Sequence, residues 1–213
     1  MRLGLAAARR PLTPALAVDV CELSTARLLL RQWRAADREP WARLNGDAHA
    51  MRFYPSVLDR AASDALADRF AARLAEQGWG LWAVELRDGA PFIGSVGLNV
   101  PTFNAHFMPA VEVGWRLLPE HWGNGYATEA ARFAVRFGFE RLGLDEVVSF
   151  TTSVNEPSRR VMERLGMTHD PADDFDHPAL PDWPLRRHVL YRLRRPGRPT
   201  PHCAPTARRR AVG

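Results

Sequence analysis

The triplet Gly123-Asn124-Gly125, set at the mouth of a long helical run, carries the first chemistry visible in this sequence. Glycines there let the backbone bend sharply and leave no Cβ in the way of an approaching group. The first amides of a helix have no intrahelical partner and sit at the positive end of its dipole, so an anion suits the place, a pyrophosphate best of all. Asn-Gly is also a strong signal for a two-residue hairpin. The run that follows, "ATEAARFAVRFGFERLG", is too long and too evenly phased for a return strand, with Ala127, Ala130, Ala131, Ala134 and Phe137 on one face. The glycines therefore read as a strand-to-helix turn, either cradling an anion or simply turning the chain. There is no Gly-Lys-Ser/Thr ending as in a P-loop, and no third glycine at dinucleotide-fingerprint spacing. The seven histidines show no metal-ligand spacing, and no metal is expected.

The elements that must position this turn follow from periodicity. Leu28 and Leu30 suggest a strand, and "RAADREPWARLNGD" a helix with Asp37 near its start and Asn45-Gly46 at its end. In "LDRAASDALADRFAARLAEQGWG", Leu58, Ala62, Leu66, Phe70 and Leu74 recur at helical spacing, and Gly78 supplies a stop. "GLWAVELRDGAPFIGSVGLNV" reads as a hairpin joined at Asp88-Gly89, and "AVEVGWRLL" as a further strand. After the glycine turn and its helix come the strand "DEVVSFTTSV", the short helix "EPSRRVMERLG" with Pro157 in its first turn, and a last strand in "RRHVLYRL". This is a mixed α/β (α+β) order: antiparallel strands first, then a right-handed crossover that makes the strands flanking the long helix parallel.

Bulk composition is that of a globular chain. Its 213 residues suit one domain, expected over residues 24–195, between a flexible leader (1–23) and a basic, disordered tail (196–213). All 29 basic residues are Arg, and six of them fall in the last twenty positions, where there is no acid. Without that tail 23 Arg face 24 acids, so the body has no basic stripe for nucleic acid. The opening residues lack the continuous apolar run of a signal peptide or a membrane span. Cys21 and Cys203 lie near opposite ends, which suits a reducing cytosol without a structural disulfide.

The segments "EVGWRLLPEHWGNGYATEA" and "SVNEPSRRVMERLGM" resemble the GNAT superfamily of acetyl-CoA-dependent N-acetyltransferases, and within it the branch of ribosomal-protein N-terminal acetyltransferases. The resemblance spans roughly residues 24–193. It implies a mixed sheet of about six to seven strands, with a splayed parallel pair in its middle, and about four helices. It implies that the backbone of Gly123, Asn124, Gly125, Tyr126, Ala127 and Thr128 holds the CoA pyrophosphate. Trp122 replaces the polar residue that often opens this loop. Backbone near Leu117 and Leu118 would bond the pantetheine arm. The resemblance implies that Glu112, by its position, is the general base, usually acting through water; the plainer reading is a solvent-facing strand carboxylate or a partner of Arg116. Asn155 matches the asparagine that bonds pantetheine or orders the leaving group, and is equally a helix cap. Many relatives carry a tyrosine as proton donor where this chain has Met162, so Ser158 is the substitute named, with Tyr126 a more distant one.

On the acceptor side, Phe53, Tyr54, Trp79, Phe103 and His106 are candidates to line the entry, or else belong to an ordinary core like Trp82. The acidic "DPADDFDHP" is either a feature that recognises a cationic acceptor or a solvated loop. The implied activity is acetyl transfer from acetyl-CoA to a primary amine, a protein N-terminus or a small molecule, in a ternary complex. The alternative is a catalytically silent CoA-binding protein. A cytoplasmic monomer or homodimer is expected, without membrane or nucleic-acid partners.

Overall fold

The computed structural model describes residues 19–197. The expected basic tail beyond residue 197, Cys203 within it, and all but the end of the expected leader lie outside the described residues. In chain order the elements are β1 (Leu23–Ser24), β2 (Leu28–Arg31), α1 (Arg38–Gly46), α2 (Arg60–Gln77), β3 (Leu81–Leu86), β4 (Gly94–Asn99), β5 (Glu112–Leu117), α3 (Tyr126–Glu140), β6 (Glu146–Thr152), α4 (Glu156–Arg164), β7 (Thr168–His169), β8 (Phe175–Asp176) and β9 (Arg187–Arg194). One sheet runs β1-β2-β3-β4-β5-β6-β9-β7, with β8 also on β9. Every pairing is antiparallel except β5–β6.

The sheet holds nine strands rather than six or seven because β1, β7 and β8 are two-residue pairings on the edges of longer strands. A second difference lies between β3 and β4. Asp88-Gly89 does form a turn, but the whole connection runs over residues 87–93. At its end Gly94 takes φ 139°, and a Cβ there would fall 2.2 Å from the Arg116 carbonyl oxygen. Close backbone approach from β5 therefore fixes this glycine. Leu58 lies just outside α2, because Asp59 caps the helix by accepting from the Ala62 N–H at 2.8 Å. Gly78, in the left-handed region, ends it as the sequence suggests.

The face of α3 explains how the long helix reaches the sheet. Ala130, Ala131 and Ala134 are fully buried, and small side chains let the helix settle against Val96, Leu98 and Val113. Phe137 then fills the remaining depth, edge-on to Trp82 at 5.7 Å. On the opposite face α1 and α2 cover an aromatic group of Trp33, Trp41, Phe70 and Phe92. Buried Arg31 is held there by Asp37 through two hydrogen bonds, 2.7 and 2.9 Å, and by Glu85 at 2.6 Å, tying β2 to the start of α1. A smaller cluster gathers Phe107, Val148, Phe175 and Leu190 beyond β6.

The sheet is open in its middle. β4 and β5 pair along their whole length, from Gly94↔Leu117 to Asn99↔Glu112. β6 and β9 pair from Glu146↔Arg194 to Thr152↔His188. Between the two halves β5 and β6 share one register position, Glu112↔Val148. It is reinforced by Val148 N–H donating to the Val111 carbonyl and Ser149 Oγ donating to the Val113 carbonyl, both at 2.9 Å. Beyond these bonds the strands part.

Candidate active site

The register of β5 decides what faces the gap. Leu118 N–H donates to the Ile93 carbonyl at 2.9 Å, so Glu112, Gly114 and Arg116 direct their backbone groups to β4. Val113, Trp115 and Leu117 direct theirs to the other edge, where β6 has moved away. The Val113 carbonyl is taken by Ser149, and the Leu117 carbonyl by the Trp122 indole N–H at 2.7 Å. Into the gap point the N–H groups of Trp115 and Leu117 and the carbonyl of Trp115, a strip suited to an extended, amide-bearing chain. Of the two backbones expected to face such a chain, Leu117 does so, while the Leu118 N–H is used inside the sheet. Trp115 was not anticipated: what it presents to the gap is backbone, to which its side chain gives no clue.

At the open end of the gap stands the glycine turn. Gly123 and Gly125 have φ of 77° and 78°, a conformation that side chains disfavour even though open space surrounds Gly123. Gly125 is the N-cap of α3 and has no side chain to accept from the amides of Tyr126, Ala127 and Thr128. Those amides stay available at the positive end of the helix. Asn124 folds back, its Nδ2 donating to the His121 and Trp122 carbonyls. Arg27 braces the turn from β2's approach: Nη1 donates to the Asn124 carbonyl at 3.1 Å, Nε to Glu129 at 2.7 Å, and the guanidinium lies 4.6 Å over the Tyr126 ring.

Gap and turn open into one cleft of about 670 Å³ whose wall includes Leu117, Gly123, Gly125, Tyr126, Ala127, Thr128, Asn155 and Ser158. Six arginines line it (Arg27, Arg52, Arg116, Arg132, Arg160, Arg164), against the single carboxylate of Glu129. Arg132 and Arg164, on α3 and α4, were not anticipated either; Arg132 donates to the Arg164 carbonyl at 3.1 Å. In sequence each resembles any solvated helix arginine, and the one clue is that Arg132 stands two turns into the helix that the glycines begin.

The Acetyltransferase (GNAT) domain family matches residues 27–168, two thirds of the chain, with this gap and turn inside the match. The chain belongs to that family. Among its relatives is the Uncharacterized N-acetyltransferase YoaA of Bacillus subtilis (strain 168), 31% identical over 146 residues that cover 68% of this chain and 81% of YoaA. The crystal structure of a GNAT-family acetyltransferase from Bacillus anthracis shares the fold with a TM-score of 0.68 at 23% identity, covering 82% of this chain and 98% of that one. The ribosomal-protein-S5-alanine acetyltransferase from Vibrio fischeri shares it with a TM-score of 0.66 at 16% identity, covering 84% and 100%. The protein is thus a GNAT acyltransferase, with structural neighbours among ribosomal-protein acetyltransferases.

In this GNAT enzyme Asn155 does cap α4. Its Oδ1 accepts from the Ser158 N–H at 3.3 Å, while Nδ2 donates to Thr151 Oγ1 at 2.9 Å and to Ser158 Oγ at 3.2 Å. Because Ser158 Oγ accepts from Asn155, its own hydrogen is left to donate into the cleft. Met162 is buried in the core.

Glu112 sits where the gap closes, beside the cleft rather than in its wall. Burial pushes its carboxyl up to about 7, partly offset by a hydrogen bond from Asn99. It is not paired with Arg116, whose Nη1 donates to Asn45 Oδ1 and whose guanidinium stacks 4.0 Å over the Tyr54 ring.

The expected acceptor residues divide. Phe53 and Tyr54 line the cleft. Trp79 packs against the main core. Phe103 joins the smaller aromatic cluster, 4.4 Å from the His177 ring, and His106 faces Asp173 at 3.4 Å. The acids of "DPADDFDHP" are engaged by their own neighbourhood: Asp170 accepts from the Ala172 N–H, Asp173 pairs with Arg192, Asp174 with His169, and Asp176 with Arg186 and Arg187. Among the described residues no group of three or more His, Cys, Asp or Glu could hold a metal ion, and no helix is long and apolar enough to cross a membrane.

Proposed function

We propose that the enzyme moves an acetyl group from acetyl-CoA to a primary amine, of a peptide N-terminus or a small molecule, by direct attack in a ternary complex. The observation that carries this is the continuity of the site. The unpaired edge of β5 leads directly to the uncapped amides of α3, within one arginine-lined cleft. An elongated ligand with an amide-bearing arm and a pyrophosphate fits both at once. Acetyl-CoA supplies the activated thioester. Trp115 and Leu117 bond its arm, the amides from Gly123 to Thr128 hold its pyrophosphate, and Arg132 and Arg164 add positive charge on the same side.

The chain's residues then meet the needs of amine attack. Glu112, with a carboxyl near 7, takes a proton from the ammonium, directly or through water. A β5 amide aimed into the gap stabilises charge developing on the carbonyl oxygen. Ser158, oriented by Asn155, donates a proton to the departing thiolate. The test is thiol release from acetyl-CoA across a library of amines and of peptides with varied N-termini. Amine-dependent release supports the reading; CoA binding without release for any acceptor would favour a silent CoA-binding protein.

A further inference from the structure

The arginines of the cleft fall into two groups, and CoA accounts for one of them. Arg27 is paired with Glu129, and Arg160 with Glu156. Arg52, Arg116, Arg132 and Arg164 have no carboxylate partner among the described residues. Arg132 and Arg164 lie on the α3–α4 side, with the glycine turn. Arg116 lies on the opposite face of the sheet, because alternate residues of β5 point to opposite sides: Val113 and Leu117 toward α3, Glu112 and Arg116 toward α1 and α2. Arg52 joins it from the α1–α2 connection, its guanidinium 4.5 Å over Phe53 and 5.3 Å over Trp122.

Arg116 is built into place. Its Nη1 bonds Asn45 Oδ1; Asn45 is fully buried and in turn donates to fully buried Ser63 Oγ at 2.9 Å. Tyr54 and Trp41 flank the guanidinium at 4.0 and 5.3 Å. Its Nε–H is covered and has no acceptor. A half-buried guanidinium set among neutral groups lacks the charge compensation such a cation normally requires. Its planar fork, held by a chain of fixed side chains and lining the cleft on the side of Glu112, suits a carboxylate. Among the described residues the one carboxylate in the cleft wall, Glu129, is paired with Arg27, and the acids of "DPADDFDHP" are engaged by their own neighbours.

We propose that the acceptor is an amine that also carries a carboxylate, and that Arg116, with Arg52 at the rim, holds that carboxylate while the amine faces Glu112 and the thioester. This rests on the N-acetyltransfer reading above. It narrows the acceptor to amino acids and to peptides with an acidic residue near the N-terminus.

The test uses matched acceptors with acetyl-CoA as donor: L-alanine against L-alaninamide, and the peptide amides Ala-Asp-Phe against Ala-Asn-Phe. The wild type is expected to favour the acid of at least one pair by roughly 10- to 100-fold in kcat/KM, the worth of a charged hydrogen-bonded contact. The first pair succeeding identifies a free amino acid, the second a peptide. Arg116→Met should abolish the preference while KM for acetyl-CoA stays unchanged, and Arg116→Lys should restore part of it. No preference in the wild type, an equal loss for both members of a pair, or a raised KM for acetyl-CoA in Arg116→Met would overturn the assignment. Calorimetry on the CoA-loaded protein with N-acetylalanine and N-acetylalaninamide, and with the acetylated peptide pair, gives a readout independent of turnover. An acid preference there that vanishes in Arg116→Met supports the carboxylate site even if no amine is acetylated, an outcome that would refute acetyl transfer alone. Absence of any such preference overturns the site.

Discussion

Glu112→Gln should make the protein more stable and less active, and the two effects should share one pH range. The Glu112 carboxyl lies at about 7 in the fold against an ordinary 4.5, so the folded protein binds a proton there that the unfolded chain releases. The resulting stability is fully present below about pH 4.5 and is lost as pH rises through about 7. The displacement corresponds to roughly 3 kcal/mol, which partial access to solvent trims to about 2 kcal/mol. Gln keeps a neutral group at the site and removes this dependence. In thermal melts the variant should therefore match the wild type near pH 4 and exceed it at pH 8, by about 4–8 °C for a chain of this size. In turnover assays wild-type kcat/KM should rise through about pH 7 as the base loses its proton, and the variant should lose that limb together with roughly 10²-fold or more in rate. A variant no more stable than wild type at pH 8, or one that keeps the limb, would refute the placement of a costly carboxylate at the foot of the gap.

Other substitutions probe the remaining parts of the site. Gly125→Val forces a β-branched residue to φ 78° and should raise the CoA dissociation constant well above that of Trp122→Gln, as calorimetry would measure; near-equal constants would count against the turn as the anion cradle. Ser158→Ala should lower kcat on the order of 10²-fold with little change in KM for acetyl-CoA, and a change confined to KM would remove its role as proton donor. Arg27→Ala should raise KM for acetyl-CoA by loosening the turn and freeing the Glu129 carboxylate beside the phosphate site. Adding Glu129→Gln should recover part of the loss, and no recovery would show that bracing alone matters.

What could be read from the sequence was whatever rests on side-chain pattern. The apolar stripe of α3 and the stop at Gly78 carried their periodicity and turn chemistry openly, and the glycines at 123 and 125 announced a positive φ. Two-residue strands such as β7 and β8 carry no pattern of their own and exist because β9 offers an edge. Phe103 and His106 are aromatic residues near the site in sequence, but their connection folds toward Phe175 and Asp173, a preference visible only once β8 and β9 are in place. Trp115 faces the gap with its amide, and Arg132, Arg164 and Arg116 stand out by lacking a carboxylate partner among the described residues. Neither property belongs to a residue type, so neither shows in a string of letters.

The parted strands also have a consequence for how the molecule holds together. A sheet normally resists separation because each strand is tied to both neighbours, yet here two well-paired halves meet through Glu112↔Val148 and the Ser149 bridge. A ligand arm lying along β5 takes the place of a missing length of strand and becomes part of the scaffold while it is bound. Mechanical and thermal strength across the seam is then set by ligand concentration, with stability growing by RT ln(1 + [L]/Kd). The inward-facing amides of Trp115 and Leu117, an open strand edge of the kind that invites pairing with other chains, are kept within a cleft that a flat partner strand cannot easily enter. On the proposed reading, the enzyme is a β-sheet whose central seam is finished by its substrate and reopened each time the product leaves.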